Sequence, residues 1–326
     1  MPPSPDTITP PPRTPAMPKR VFVDGQAGTV GLSIHQRLSG MPDIAVLDIP
    51  ETQRKDLDAR LQRILDADLA VLCLPDQAAI EVVSELNQRS HNTTKILDAS
   101  TAHRVAPGWV YGFPELTPDQ PDRIRGAQQV TNPGCYATGI IALLRPLIDA
   151  GLIPPDHPLS IHATSGYSGG GRALISAMET GQHPPFKLYS LDLQHKHLPE
   201  IRAHARLTQA PIFTPAVGNY RQGMLVTIPL HLHAIPGQPT ADAIAQTLHE
   251  RYAHNPRVAF VPDPQDPQRF ELEPQALNHT DRLEIRVFSQ PKHGQALLIA
   301  RLDNLGIGAA GNAVTNTRLM LGLGMV

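Results

Sequence analysis

Residues 20–38, RVFVDGQAGTVGLSIHQRL, decide the expected fold. The apolar run at 21–23 precedes three glycines spaced three residues apart, and apolar residues then recur at helical spacing. This order predicts a strand, a glycine turn and a helix. Glycines there let the backbone approach a pyrophosphate, and the free N–H groups of the helix N-terminus attract its charge. We therefore predict a nucleotide site formed by Gly25, Gln26, Gly28, Thr29, Val30 and Gly31.

The glycine spacing differs from Gly-x-Gly-x-x-Gly, so a purely structural tight turn stays an alternative. The choice of nicotinamide cofactor is also open at this stage. Asp48 follows the second apolar run, where a carboxylate would accept ribose hydroxyls and repel a 2′-phosphate, which favours NAD. Arg54 and Lys55 come shortly after and would instead hold the extra phosphate of NADP.

Downstream of this turn, short apolar runs alternate with helical stretches. Strands are predicted at 44–47, 69–74 and 95–97, with a helix at 78–87. Strands that alternate with helices predict a parallel sheet of an α/β domain. After about residue 135 the expected strands are longer and antiparallel-looking, at 159–164, 223–233, 257–261, 283–289 and 296–302. A last helix is expected within 304–323.

Composition narrows the class of protein. The 326 residues are 41% hydrophobic and 18% charged with a net charge of -2, typical of a folded chain without attraction for nucleic acid. No apolar run is long enough to span a membrane, and the start of the chain lacks a secretory pattern, so we expect a cytoplasmic protein. Residues 1–18 hold eight prolines and predict a disordered tail; a transit peptide would be richer in Arg and Ser.

One of the two cysteines is placed for chemistry. Cys135 follows Asn132-Pro133-Gly134 and precedes an apolar helical run at 140–147. At a loop-to-helix junction the free amides and the helix dipole favour thiolate over thiol, which predicts a nucleophile. Cys73 lies in mid-strand and is interpreted as an inert core residue.

A nucleophilic thiol needs a group that handles protons, and residues 194–201, QHKHLPEI, supply candidates. His195 and His197 would point the same way in an extended segment, with Glu200 able to orient one imidazole. A zinc site is the competing interpretation of His-x-His, but it needs further ligands at matching spacing, and we expect no metal.

Several segments resemble N-acetyl-gamma-glutamyl-phosphate reductases. The segments around Cys135 and His197 are the specific ones, and 98–104, with its Ser-Thr-Ala-His-Arg form, is similar to the shorter of the family's two types. Further similar segments are 111–116, 165–172 and 303–309. The resemblance covers most of residues 20–326.

This resemblance implies a fold like that of aspartate-semialdehyde dehydrogenase. It implies a Rossmann domain at 19–134 and 304–326, and an inserted α+β catalytic domain with a mainly antiparallel sheet at 135–303. It further implies NADPH as cofactor, a homo-oligomer (dimer or tetramer) and a small-molecule substrate. Cys135 would attack an acyl phosphate and form a thioester, with His197 moving protons and His195 and Glu200 assisting.

The substrate implied by the resemblance carries a phosphate and a carboxylate, and arginine forks suit both. The expected substrate-binding residues are Arg104, Arg172, Ser168, Gly169 and Asn132. Ser100 and Asn304 are expected to contact the cofactor. A surface ion pair is the alternative for Arg104.

Other activities stay open at this stage. Aspartate-semialdehyde dehydrogenase or an aminoadipate-pathway relative would use the same chemistry, and one methylene in the substrate is worth only about 1–3 kcal/mol of discrimination. A cysteine hydrolase would use the thiol and histidine without a cofactor. A nucleotide-sensing regulator would keep the glycine turn without catalysis.

Overall fold

The computed structural model describes residues 17–89, 93–262 and 270–325. Most of the expected disordered tail, residues 1–16, lies outside the described residues. The strands are β1 Lys19–Asp24, β2 Ile44–Leu47, β3 Leu69–Leu72, β4 Lys95–Asp98, β5 Val110–Tyr111, β6 Gln129–Thr131, β7 Ser160–Gly166, β8 Phe186–Leu188, β9 Ile212–Gly218, β10 Met224–His231, β11 Val258–Phe260, β12 Leu283–Gln290 and β13 Gln295–Leu302. The helices are α1 Thr29–Ser39, α2 Leu57–Leu65, α3 Asp76–Asn87, α4 Gln120–Gly126, α5 Cys135–Asp149, α6 Gly171–Glu179, α7 Leu198–His204, α8 Ala241–Tyr252 and α9 Gly311–Met320.

The first sheet has six strands in the order β2-β1-β3-β4-β6-β5, and every pairing in it is parallel. The strand β3 is wholly buried, and β1 and β4 are buried beyond their first residues, because helices cover both faces of the sheet. The predicted parallel α/β sheet is therefore confirmed. The glycine turn follows β1. The next strand along the chain, β2, lies on one side of β1, and β3 lies on the other side, so the order of the strands reverses at β1. Ligands bind at such a switch point of an open parallel sheet.

The second sheet has seven strands in the order β11-β12-β13-β10-β7-β9-β8. Four of its six pairings are antiparallel, as expected, but β7–β9 and β11–β12 are parallel. The alternation of apolar and polar residues reports a sheet with one open face, and it carries no information on strand direction. Between β7 and β9 the chain makes the long crossover through α6, β8 and α7 that a parallel pair requires.

Two strands of this sheet were not predicted. All three residues of β8 are exposed, so the strand has no apolar pattern to detect. The strand β9 contains Pro215, which weakens a strand signal. Both strands border the cavity described below.

The helix α5 packs on the second sheet and also contacts residues 306–310, where the chain returns to the first sheet. It is apolar almost all round and buried along nearly its whole length, as expected of a helix inside a core. The expected last helix at 304–323 is shorter than predicted, because 306–310 form a turn of π-helix before α9. The helix α9 packs beside β3 and β4, so the end of the chain belongs to the core of the first sheet.

None of the helices in the described parts of the chain has the length and apolar character needed to cross a membrane.

Candidate active site

Cys135 is the first residue of α5, as the sequence predicts, and Gly134 is its N-cap. A Cβ atom at Gly134 would collide with Nε2 of His197 and Nη1 of Arg104. The loop before the cysteine therefore lies directly against the imidazole and the guanidinium, and only glycine leaves room for this approach. The tertiary structure thus brings together three of the predicted site residues, which are far apart in the chain.

The Cys135 thiol is not the ready-made thiolate that its position predicts. Burial raises its pKa to about 11, although the backbone N–H of Tyr136 and the charges of Arg104 and Lys196 favour the anion. The cost of burying a charge outweighs the helix N-terminus here. The thiol is therefore protonated at neutral pH in the free protein and needs a base close by to attack.

His197 can serve as that base. Burial, followed by the charge of Arg104, holds its pKa well below the ordinary value, so the ring is neutral and able to accept a proton. Its Nδ1 is buried and has no hydrogen-bond partner among the described residues. The protein around it therefore does not lock the ring into one tautomer.

His195 has a different environment from its neighbour. The segment is not extended here, because a turn leads into α7, yet the two rings meet edge to face with centroids 4.7 Å apart. Burial lowers the pKa of His195 to about 4. The backbone N–H of His197 donates to Nδ1 of His195 at 3.1 Å, which places the proton on Nε2, 3.4 Å from the hydroxyl of Tyr189. His195 therefore holds the turn in place as a neutral ring of fixed tautomer.

Glu200 contacts neither imidazole through a hydrogen bond among the described residues, contrary to the expectation that it orients one. Its Oε1 accepts from Nη1 of Arg104 at 2.5 Å. Its Oε2 accepts from the Tyr111 hydroxyl at 2.6 Å and from the backbone N–H of Gly134 at 3.1 Å. The carboxylate thus ties the residue before the nucleophile to a buried arginine and tyrosine.

Arg104 is held at several points and is not a surface residue. Its Nε donates to the Asn132 carbonyl at 3.0 Å, and its backbone carbonyl accepts from Nε2 of His204 at 2.8 Å. The His204 ring also stacks on the Tyr111 ring. Burial disfavours the charge of Arg104, but the Glu200 carboxylate keeps its pKa above the ordinary value. Arg104 therefore presents a permanent cation to the cavity that it lines. The alternative of a surface ion pair is wrong.

Two cavities meet at the cysteine. One, of about 770 Å³, extends along β8 and the turn at 194–197, and the other, of about 390 Å³, reaches the glycine turn after β1. Residues that line both cavities mark the place where their occupants would touch. These residues are Cys135, Gly169, Gly171, Lys196 and His197.

The smaller cavity has the features of a nucleotide site. Residues 28–31 line it at the start of α1, whose N-cap is a glycine without a side chain to satisfy the free N–H groups. Gly25 has φ 84°, and a Cβ at Gly31 would collide with the Gly25 carbonyl, so both positions require glycine. Oε1 of Gln26 and Oγ1 of Thr29 are buried without a partner in the described structure. These orphaned polar groups fit a bound dinucleotide.

Family comparisons agree with this geometry. Residues 20–124 match the family described as "Semialdehyde dehydrogenase, NAD binding domain", and residues 135–304 match "Semialdehyde dehydrogenase, dimerisation domain". The N-acetyl-gamma-glutamyl-phosphate reductase 2 of Pseudomonas putida is 49% identical over 306 residues, covering 93% of this chain and 96% of that protein. The N-acetyl-gamma-glutamyl-phosphate reductase of Brucella suis is 48% identical over 311 residues, covering 94% of this chain and all of that protein.

The chain belongs to the N-acetyl-gamma-glutamyl-phosphate reductase family.

Solved structures of more distant proteins share the fold of this family member. Aspartate semialdehyde dehydrogenase II of Vibrio cholerae, complexed with ASA, matches with a TM-score of 0.67 at 14% identity, covering 94% of this chain and 99% of that one. The aspartate semialdehyde dehydrogenase of Francisella tularensis matches with a TM-score of 0.70 at 12% identity, covering 93% and 100%. The fold class expected from the sequence is thus confirmed.

The other predicted substrate residues of this reductase family member divide into two groups. Ser168, Gly169, Arg172 and Asn132 all line the smaller cavity, and Arg172 is exposed. The Asn132 side chain, however, forms hydrogen bonds within the protein. Its Nδ2 donates to the Ala309 carbonyl at 3.0 Å, and its Oδ1 accepts from Nδ2 of Asn316 at 3.2 Å. Asn132 therefore holds the cysteine loop against the end of the chain.

The predicted cofactor residues divide in a similar way. Asn304 lines the smaller cavity, where its Nδ2 donates to the Ser168 hydroxyl at 2.9 Å. Ser100 is not among the residues that line this cavity, and its hydroxyl donates to Asp98 at 2.7 Å. Asp98 also contacts Nδ1 of His103 at 2.6 Å, so Ser100 belongs to a buried network with Asp98 and His103.

Sequence reasoning missed several residues around the cysteine. Tyr111 lies in a segment that resembles the family, but its role depends on Glu200, 89 positions away. Gly308 approaches the Cβ of Cys135, and Cys73, interpreted as a core residue, lines the smaller cavity. No group of three or more His, Cys, Asp or Glu side chains that could hold a metal occurs among the described residues.

Proposed function

We propose that this chain reduces N-acetyl-gamma-glutamyl phosphate to N-acetylglutamate 5-semialdehyde and phosphate with NADPH, in arginine biosynthesis. One observation carries the proposal: Cys135, His197 and the glycine turn at 28–31 line one cavity. The close relatives that bear the reductase name support the substrate. A cofactor-free hydrolase would have no use for the glycine turn.

In the first step Cys135 attacks the acyl carbon while His197 takes the thiol proton. The carbon–oxygen bond to the phosphate breaks, and His197 passes the proton to the departing phosphate. The raised pKa of the thiol makes this transfer necessary, and the lowered pKa of the imidazole keeps the acceptor neutral. The product is a thioester, which divides one difficult reduction into two easier steps.

A nicotinamide held at the glycine turn at 28–31, which lines the same cavity as Cys135, would supply the hydride that reduces the thioester carbon. The resulting thiohemiacetal oxyanion collapses, the carbon–sulfur bond breaks, and the aldehyde leaves. His197 delivers to the cysteine sulfur a proton taken up from solvent, which restores the thiol. Lys196 and Arg104 place positive charge beside the oxyanion, as both lower the energy of an anion at Cys135.

NADPH rather than NADH is proposed on two grounds. The family resemblance implies it, and the exposed Arg54 and Lys55 follow β2, where a 2′-phosphate would arrive. Asp48 at the end of β2 lies 3.3 Å from Nε2 of His35, and this pairing competes with acceptance of a ribose hydroxyl. Both features favour the phosphorylated cofactor.

We further propose the domain division and assembly that the resemblance implies. Residues 19–134 with 304–326 form the cofactor domain, and 135–303 form the catalytic domain. The helices α5 and α8 cover one face of the seven-stranded sheet, and Leu225, Leu297 and Ile299 lie on the other. A second copy of the chain packed on that face would form a homo-oligomer, in keeping with the dimerisation family that covers 135–304. Sedimentation would then give at least twice the chain mass.

The reverse reaction tests this function most directly. Purified protein should reduce NADP⁺ when given N-acetylglutamate 5-semialdehyde and inorganic phosphate together, and neither alone should support the rate. The Cys135→Ser variant should lose this activity while still quenching NADPH fluorescence on binding. Normal turnover by that variant would overturn the thioester route, and turnover without phosphate would overturn the acyl-phosphate reaction.

A further inference from the structure

The larger cavity contains a cation that the mechanism does not use. Lys187 is the middle residue of β8 and pairs with Val217 of β9. Directly opposed residues on antiparallel strands point to the same face of a sheet, and both residues line this cavity. The neighbours Phe186 and Leu188 therefore point to the opposite face. The side chain of Lys187 is thus directed into the site by strand geometry.

The charge of the cavity is one-sided. Lys187 and Lys196 line it together with three histidines, and none of the described residues that line it is an aspartate or glutamate. Lys187 forms no ion pair among the described residues. A lysine in a cavity without a carboxylate partner favours an anionic ligand.

The two lysines occupy different places in the site. Lys196 lines both cavities and lies beside the cysteine, whereas Lys187 lines only the larger one, away from the glycine turn. Arg104 and Arg172 line only the smaller one. A phosphate leaving the acyl carbon at Cys135 is therefore near Lys196 and the arginines. An anion at the other end of the substrate carbon chain extends along the larger cavity towards β8.

We propose that Lys187 binds the α-carboxylate of the substrate and so determines specificity for an amino-acid-derived acyl phosphate. This assignment rests on the proposed function. It separates the two anionic groups of the substrate, with the phosphate beside the cysteine and the carboxylate at β8. A charge-assisted hydrogen bond of this kind distinguishes a carboxylate from a neutral amide by about tenfold to a hundredfold.

The test combines a variant enzyme with a variant substrate. The phosphate-dependent oxidation of N-acetylglutamate 5-semialdehyde is compared with that of its α-carboxamide, in which only the distal charge is removed. Wild type should prefer the carboxylate by about tenfold to a hundredfold in kcat/KM. Lys187→Met should lose this preference, mainly through KM for the aldehyde, with the KM for phosphate and the rate on the carboxamide unchanged. Lys187→Arg should restore the preference.

Lys292→Met provides a matched control, because this exposed lysine lies in the β12–β13 connection and lines neither cavity. It should behave as wild type on both substrates. A Lys187→Met variant that still prefers the carboxylate, or that slows equally on both substrates, would overturn the assignment. Wild type that oxidises neither aldehyde would instead refute the proposed function, and the assignment with it.

Discussion

Replacement of Glu200 by glutamine tests whether this carboxylate holds the active site together. The side chain of Glu200 is 1% exposed and that of its partner Arg104 is 8% exposed. The carboxylate accepts three hydrogen bonds, from Arg104, Tyr111 and the backbone of Gly134. Glutamine has nearly the same shape but carries no charge and offers one acceptor oxygen in place of two.

Each orientation of the new amide sets a donor against a donor. If the amide nitrogen takes the place of Oε1, its N–H groups face the Arg104 guanidinium. If the amide nitrogen takes the place of Oε2, its N–H groups face the backbone N–H of Gly134. Removal of one partner of a buried pair leaves the other charge uncompensated, at a cost of about 3–5 kcal/mol. For a chain of 326 residues the unfolding entropy is about 0.7 kcal/mol/K, so the cost corresponds to a fall in Tm of about 4–7 °C.

Urea unfolding provides the assay, because the chain has a single tryptophan close to this network. Trp109 stacks on His103, next to Arg104, with ring centroids 4.3 Å apart, so its fluorescence should report loss of the local structure. Glu179→Gln is the matched control, since the pair of Glu179 with Arg221 has about half of each side chain exposed, at 49% and 59%. That control should change the free energy of unfolding by about 1 kcal/mol at most. A Glu200→Gln variant as stable as the control would refute the reasoning.

Two further predictions concern the nucleophile and its loop. The pKa of Cys135 is about 11, so the thiolate fraction should rise about tenfold per pH unit between about pH 7 and 9. The rate of alkylation by iodoacetamide, measured against Cys135→Ser, should rise in the same proportion. A plateau in that rate below pH 8 would show a preformed thiolate. Gly134→Ala should lower kcat/KM about a hundredfold while circular dichroism stays native, because the new Cβ displaces His197 and Arg104. Gly126→Ala is the control and should keep the wild-type rate, since a Cβ there meets no atom of the described residues. Equal rates for the two variants would show that the loop tolerates displacement.

The sequence by itself determined the parts of this protein that depend on neighbouring residues. The strand, glycine turn and helix at 19–39 follow from the local order of apolar residues and glycines. The start of α5 at Cys135 follows in the same way from the glycine before it and the apolar run after it. Such patterns involve only residues that are near one another in the sequence, so they can be identified without knowing the fold.

Only the tertiary structure decided how these pieces act together. Glu200 meets Arg104 across 96 positions and Gly134 across 66, and burial of the thiol reverses the pKa shift that its helix position predicts. Lys187 enters the cavity because an exposed three-residue strand pairs with β9, a pairing with no signature in its sequence. Burial and strand pairing depend on contacts between segments that are far apart in the sequence. Local patterns therefore predict which residues are reactive types, while the packing of the two sheets sets their partners and their protonation.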